Sequence, residues 1–311
     1  MVAHNVLCHS NAHTQPRPVA YENKYVNVKR VFNTQPEVMG FVICVGETIH
    51  ERMLKKPMMT ILLSVQAGLL LSFGVLMSCQ GAELITANYM FCSFAVLAAD
   101  PEDRPRQIKG LLGNWFFCWW SNLLGAVLHF VMFAWSTGLI KSVVDFRDDM
   151  NGDLCSRSNY GMANLCKVVK VCRAKCTAHF TTSIIRGAGC NWMVCLAIWL
   201  QMIATEPISK FIMIWLPIEL FISSGFDHLV VNEFLIPAGI MVGGKYYDDR
   251  CNWGNAFWFN FVPVTLGSIV GAWFLVFPFW LINKDGWMAA QKSKADAECA
   301  HTIVGGKPVE E

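Results

Sequence analysis

The sequence predicts an all-α membrane protein made of two related halves, each interrupted by a broken transmembrane helix. Three observations carry this. The 311 residues are 54% hydrophobic and only 15% charged, with a mean hydropathy of +0.38, whereas a soluble domain carries about 25% charged residues. Several apolar stretches approach the roughly 20 residues that a helix needs to cross a hydrocarbon core of about 30 Å. Two of these stretches are broken by polar residues at matching places.

Residues 1–35 read as a polar N-terminal tail, 36–283 as the transmembrane domain with halves at about 57–140 and 179–283, and 284–311 as a polar C-terminal tail. The candidate spans are Met58 to Leu84, Leu111 to Ile140, Gly187 to Ala204, Phe211 to Gly243 and Ala256 to Ile282. The first apolar run is broken by Glu83, Thr86 and Asn88, and the run from Phe211 is broken at Ser223-Ser224-Gly225-Phe226-Asp227-His228. Unpaired backbone groups cost several kcal/mol each in lipid, so a broken helix survives only where protein or a water-filled cavity covers it. Breaks at corresponding places in two halves point to a transporter's substrate site.

The halves echo one another. Glu83-Leu84-Ile85-Thr86-Ala87-Asn88 corresponds to Asp227-His228-Leu229-Val230-Val231-Asn232, and Ser121-Asn122-Leu123-Leu124-Gly125-Ala126 to Gly267-Ser268-Ile269-Val270-Gly271-Ala272. Asn88 precedes Asn122 by 34 residues and Asn232 precedes Ser268 by 36. The small residues Ser121 and Gly125, and Gly267 and Gly271, stand four apart on one helix face, the spacing that lets membrane helices approach closely.

A net charge of +2 gives no electrostatic case for nucleic-acid binding. The first thirty residues hold no long apolar run, so no cleaved signal peptide is expected. Many of the 13 cysteines, such as Cys79, Cys92, Cys118, Cys190 and Cys195, sit in apolar runs as small buried hydrophobes. Cys155, Cys166, Cys172 and Cys176 lie in a polar connection where pairing or metal binding stays open, although no C-x-x-C pair occurs. No metal-spaced His/Cys set, P-loop or GxSxG elbow argues for an enzyme, and no cofactor is implied.

Four ordered motifs resemble the formate/nitrite transporter family. Gly81-Ala82-Glu83-Leu84-Ile85-Thr86-Ala87-Asn88 is similar to that family's G-A-E-L-F-T-G-N loop. The run from Cys190 to Trp199 resembles C-N-W-L-V-C-L-A-V-W, that from Gly225 to Phe234 resembles G-F-E-H-S-V-A-N-M-F, and that from Pro263 to Ser268 resembles P-V-T-L-G-N. The resemblance covers roughly Pro36 to Asn283. It implies an aquaporin-like inverted repeat, a homopentamer with a pore in each protomer, and passage of a small monovalent anion (formate, nitrite, lactate, acetate) with a proton across a lipid bilayer. The plasma membrane is expected, with an organelle membrane left open.

His228 is the sharpest candidate, because an ionisable residue inside a membrane is a functional-site hypothesis by default and its reference pKa of about 6.5 suits proton exchange. Asn232, one turn on, would share its face; in the family the matching His and Asn are pore residues. Asn191 lies in the fourth-span motif. Lys175, sixteen residues earlier, matches a vestibule Lys that would concentrate anions. Phe221, two turns before His228, matches the Phe of the family's apolar constriction, with Leu76 the weaker candidate opposite. Such a neck excludes a bare anion and passes its neutral acid. Thr86 and Asn88 would line the route or satisfy freed backbone groups. Glu83 and Asp227 are read as loop anchors acting through backbone N–H groups. Trp115, Trp119, Trp120, Trp258, Trp273 and Trp280 are assigned to lipid belts and packing.

Departures accompany the resemblance. Pro57 to Thr86 is 29 residues, whereas Thr181 to His228 is 47, so the first half is 18 residues short, about one crossing. Either a segment has been lost at the gene or transcript level, or this is a five-span variant. Ala87 replaces a loop Gly, Ser268 an Asn and Asp227 a Glu. A proton-linked anion transporter or channel is therefore expected, with a non-conducting or degenerate membrane subunit as the alternative.

Overall fold

A computed structural model describes residues 35–71, 83–140, 160–246 and 248–304, and among them there is no strand. In order come α1 (Gln35–Lys55), α2 (Pro57–Leu71), α3 (Ile85–Ala98), α4 (Arg104–His129), α5 (Tyr160–Cys176), α6 (Phe180–Ile203), α7 (Pro207–Ser223), α8 (Leu229–Met241), α9 (Trp253–Ala256) and α10 (Val262–Val304). A π-helical turn, Phe130–Trp135, prolongs α4, and another, Phe257–Phe261, joins α9 to α10. Prolines in the first turns of α4 and α7 sit where a missing N–H costs nothing.

Among the described residues, three continuous helical stretches are long and apolar enough to cross a membrane: Arg104–Trp135, Phe180–Ile203 and Trp253–Ala289. The first two begin about two turns before the apolar runs expected from sequence, because Arg104–Gly110 and Phe180–Arg186 continue the same helices. By contrast α3 and α8, with 14 and 13 residues, are short apolar helices. At 1.5 Å per residue they reach only about 20 Å, two thirds of a hydrocarbon core.

The packing repeats. Helix α2 lies along α4 as α6 lies along α10, and α1 covers α3 as α5 covers α8. Helix α7 has no such counterpart among the described residues. A Cβ on Gly267 would collide with the Ile184 carbonyl oxygen and one on Gly271 with that of Ala188, so the two glycines four apart set the α6–α10 distance. The shared core includes Met39, Ile85, Met90, Phe94, Leu229, Phe261 and Leu275. Trp199 sits between Phe94 and Phe279, with ring centroids 5.7 and 4.6 Å away.

Large apolar side chains also face outward: Phe116, Trp120 and Leu124 on α4, Phe211, Trp215 and Leu220 on α7, and Phe274 and Leu281 on α10. So wide an apolar exterior suits lipid or partner subunits. Trp258 and Trp273 are exposed with them, while Trp119 donates to Thr265 Oγ1 at 3.0 Å and Trp115 packs edge-on against Tyr89. Composition turns polar at Asn283, yet α10 continues to Val304. Trp287 lies beside Gly40 of α1, so the start of the expected C-terminal tail is packed helix.

Candidate functional site

Each break is a short extended link followed by a new helix, and each is tied down by a buried acid. Glu83 Oε1 accepts from Arg52 Nη1 at 2.7 Å, and Oε2 accepts from Asn114 Nδ2 at 2.6 Å and Asn88 Nδ2 at 3.3 Å. The Asn88 amide also donates to Asn114 Oδ1 at 2.9 Å. In the second half Asp227 Oδ1 pairs with Lys175 Nζ and accepts from Asn232 Nδ2 at 3.2 Å, and that amide also donates to Asn260 Oδ1 at 2.9 Å. Acid, cation and two asparagines recur, with one bond fewer in the second half: Asn114 donates to Glu83, whereas Asn260 makes no bond to Asp227.

The spacing inside the two clusters differs most between cation and acid. Arg52 precedes Glu83 by 31 residues, whereas Lys175 precedes Asp227 by 52. The first half is 21 residues shorter there, close to the 17 residues of α7.

Several expectations are revised. The acids bind side-chain amides and cations rather than backbone N–H groups: Glu83 takes Arg52 and two asparagines, Asp227 takes Lys175 and Asn232. Thr86 and Asn88 lie in the first turn of α3, so the first break is confined to residues before Ile85. Both Asn232 donor bonds are made inside the protein, to Asp227 and Asn260. Lys175 is paired with Asp227 rather than free; the exposed cations on α5 and α6 are Lys167, Lys170 and Arg186, with Arg173 paired to Asp248. Leu76 lies outside the described residues.

His228 and Phe221 do come together. Their rings stack with centroids 5.7 Å apart and planes 22° from parallel, and Phe221 belongs to an apolar cluster with Cys190 and Val194. His228 is also the N-cap of α8: its Nδ1 accepts from Val231 N at 3.3 Å. A neutral imidazole that accepts at Nδ1 carries its hydrogen on Nε2, so the free edge of the ring is a donor. Helix α3 lacks a cap of its own and takes one from across the packing, with Ile85 N donating to Asn122 Oδ1 at 2.9 Å.

Among the described residues, the buried polar atoms near the gaps without a hydrogen-bond partner include Thr86 Oγ1 and Asn191 Oδ1, besides Asp227 Oδ2 and Asn260 Nδ2 of the second cluster. Cys195, one turn beyond Asn191 on α6, has its Sγ 3.9 Å from the Thr86 carbonyl oxygen, and α3 and α8 meet. The Thr86 and His228 segments therefore converge on one region. Asn191 Nδ2 donates to the Ser268 carbonyl oxygen at 2.7 Å, and Asn122 Nδ2 donates to that of Ser64 at 2.6 Å. Both bonds join the paired helices of a half, α6 with α10 and α2 with α4.

Sequence reasoning missed Arg52, Asn114 and Asn260 as members of the gap clusters. A signal existed: Asn114 follows Asn88 by 26 residues and Asn260 follows Asn232 by 28, the drift that the repeat already showed. Among the cysteines of the polar connection, Cys155 lies outside the described residues and Cys166 is disulfide-bonded. Cys172 and Cys176 are buried thiols with sulfurs 3.9 Å apart. Among the described residues no group of His, Cys, Asp and Glu is placed to hold a metal ion.

The family description "Formate/nitrite transporter" matches residues 75–281. A "Probable formate transporter" of Methanothermobacter thermautotrophicus is 35% identical over 201 residues, covering 64% of this chain and 68% of that protein. The nitrite transporter NirC of Escherichia coli (strain K12) is 30% identical over 213 residues, covering 67% and 68%. Among solved structures, an FNT family ion channel superposes with a TM-score of 0.59 at 23% identity, over 79% of this chain and 98% of that one. Its likeness extends to the fold.

Proposed function

The chain belongs to the formate/nitrite transporter family of integral membrane proteins, and from that premise we propose that it carries a small monovalent anion across the bilayer together with a proton. The observation that most supports this is the stacked His228–Phe221 pair at the second gap. Exposed Lys167, Lys170 and Arg186 raise the local anion concentration. The anion then meets the Nε2–H edge of His228, where it accepts a hydrogen bond and, with a proton, becomes the neutral acid. Only the neutral form passes the apolar surface around Phe221 without a heavy desolvation cost.

Beyond that point Thr86 Oγ1 and Asn191 Oδ1 supply a hydroxyl donor and a carbonyl acceptor. An acceptor suits the O–H of a neutral acid and gives a bare anion nothing. Asn88, Asn232, Glu83, Asp227 and Lys175 hold the two gaps in shape rather than touch the substrate. Formate and nitrite are the leading substrates, with lactate and acetate in the same chemical class, and the outward apolar faces of α4, α7 and α10 are read as lipid and subunit contacts in a homopentamer.

Uptake of labelled formate and nitrite into proteoliposomes with an acidic exterior tests this reading. Accumulation driven by the pH gradient, with its pH dependence abolished by His228→Phe, is the expected result. A second reading, a non-conducting membrane subunit, is favoured by the 21-residue shortfall ahead of Glu83. No uptake of either anion by intact oligomers would establish that reading instead.

A further inference from the structure

Helix α8 carries one ionisable side chain, Glu233, and the route above does not use it. It stands where the family-like motif G-F-E-H-S-V-A-N-M-F has Met. Its relative exposure is 0%, and neither carboxylate oxygen has a hydrogen-bond partner among the described residues. Every other buried acid at the gaps is answered by a cation and amides; this one is answered by nothing.

The elements packed on α8 supply no counter-charge to it. Its titratable neighbours are Tyr89 on α3 and Cys118 on α4. His129 of α4 lies against the next residue, Phe234, with ring centroids 5.7 Å apart. Helix α5 brings Cys172 to Gly239, further along α8, and commits Lys175 to Asp227. Helix α2, the turn Phe257–Phe261 and residues 262–282 of α10 have no ionisable group, and Lys245 belongs to the turn beyond the far end of α8. An ionised carboxylate placed so is far more costly to bury than the neutral acid.

We propose that Glu233 is a proton-binding site inside the membrane domain: it is a neutral carboxylic acid while the protomer conducts, and on losing its proton it sets a negative charge beside Asn232 that shuts anions out. Proton binding here stands on the burial alone, while the shutting rests on the anion route proposed above. On a helix rising 1.5 Å per residue and about 10–12 Å across, an anion at His228, five residues before Glu233, comes within roughly 10 Å of that side chain. At an effective dielectric of about 20, two like charges at that distance repel by about 1.7 kcal/mol, roughly 17-fold in occupancy.

Infrared spectra and formate flux of the full chain in lipid vesicles, recorded across pH, test both parts. The native protein is expected to hold a protonated carboxylic-acid C=O band at neutral pH that disappears in Glu233→Gln and persists in Glu83→Gln. Native flux is expected to fall roughly 10- to 20-fold on the alkaline side, and Glu233→Gln to remove that fall. A band that survives in Glu233→Gln overturns the proton site; an unchanged alkaline fall overturns the shutting. If the native chain moves no formate, the transport reading fails while the band still decides proton binding. Should the Gln variant not fold, Glu233→Met is read in the same two ways.

Discussion

The two gaps are built from the same acid, cation and pair of asparagines, but they differ in what closes the helix that follows. In the first half Asn122, reaching from α4, accepts from Ile85 N, and the link residue is Leu84. In the second half Ser268 stands at the position of Asn122, and the link residue His228 caps α8 with its own ring. An amide does not titrate near neutrality, and an imidazole does. The difference teaches that the second gap ties the start of a helix to a proton: adding one to Nδ1 turns the acceptor into a donor and breaks the bond to Val231. Helix α3 has no titratable cap and is indifferent to pH in this respect.

The largest expected effect comes from removing the acids themselves. Glu83 uses both oxygens and has three partners, whereas Asp227 Oδ2 has none. Glu83→Ala is therefore expected to destabilise the detergent-solubilised protein by about 3 kcal/mol or more, and Asp227→Ala by less, measured as thermal melting of the oligomer. Equal losses would break the asymmetry. Gly271→Leu comes next, at about 1–3 kcal/mol, through the collision with Ala188 that forces α6 and α10 apart. Melting of that variant measures it.

The caps give smaller, sharper tests. His228→Phe removes the cap and is expected to cost about 1 kcal/mol, while His228→Asn keeps an oxygen acceptor and most of that stability. Both should lose pH-linked flux, which separates proton handling from capping in one pair of measurements. The smallest effect is outside the membrane, where Arg250 hydrogen bonds hold the Asp248 carboxyl well below the usual carboxylate range. A depressed folded value means that its contribution is present above the unfolded value of about 3.9 and is lost as pH falls through the folded one. Asp248→Asn should thus change melting equally at pH 7 and pH 5, with the difference shrinking only in strong acid.

Much of this was legible in the sequence. The six-residue echoes located both gaps and the glycines that fix α6 against α10. Where the reading went astray, the cause was long-range pairing. Thr86 and Asn88 look like helix-breaking polar residues, yet they belong to α3 because Asn88 is satisfied by Glu83 and Asn114 across the packing. Lys175 reads as a solvated cation because its partner is 52 residues away. Asn114 and Asn260 each stand alone in apolar surroundings, and nothing local marks them as the far ends of the two clusters. The first half's length deficit was visible in the sequence, and among the described residues α7 has no counterpart there.

Helix α10 leaves the apolar belt at Ile282 and continues to Val304. Twenty-two further residues at 1.5 Å each make a stiff spacer of roughly 33 Å, gripped near its root where Trp287 meets Gly40. A reporter domain fused after Val304 would therefore ride well clear of the lipid headgroups, at a fixed stand-off set by the rod rather than by a floppy tether.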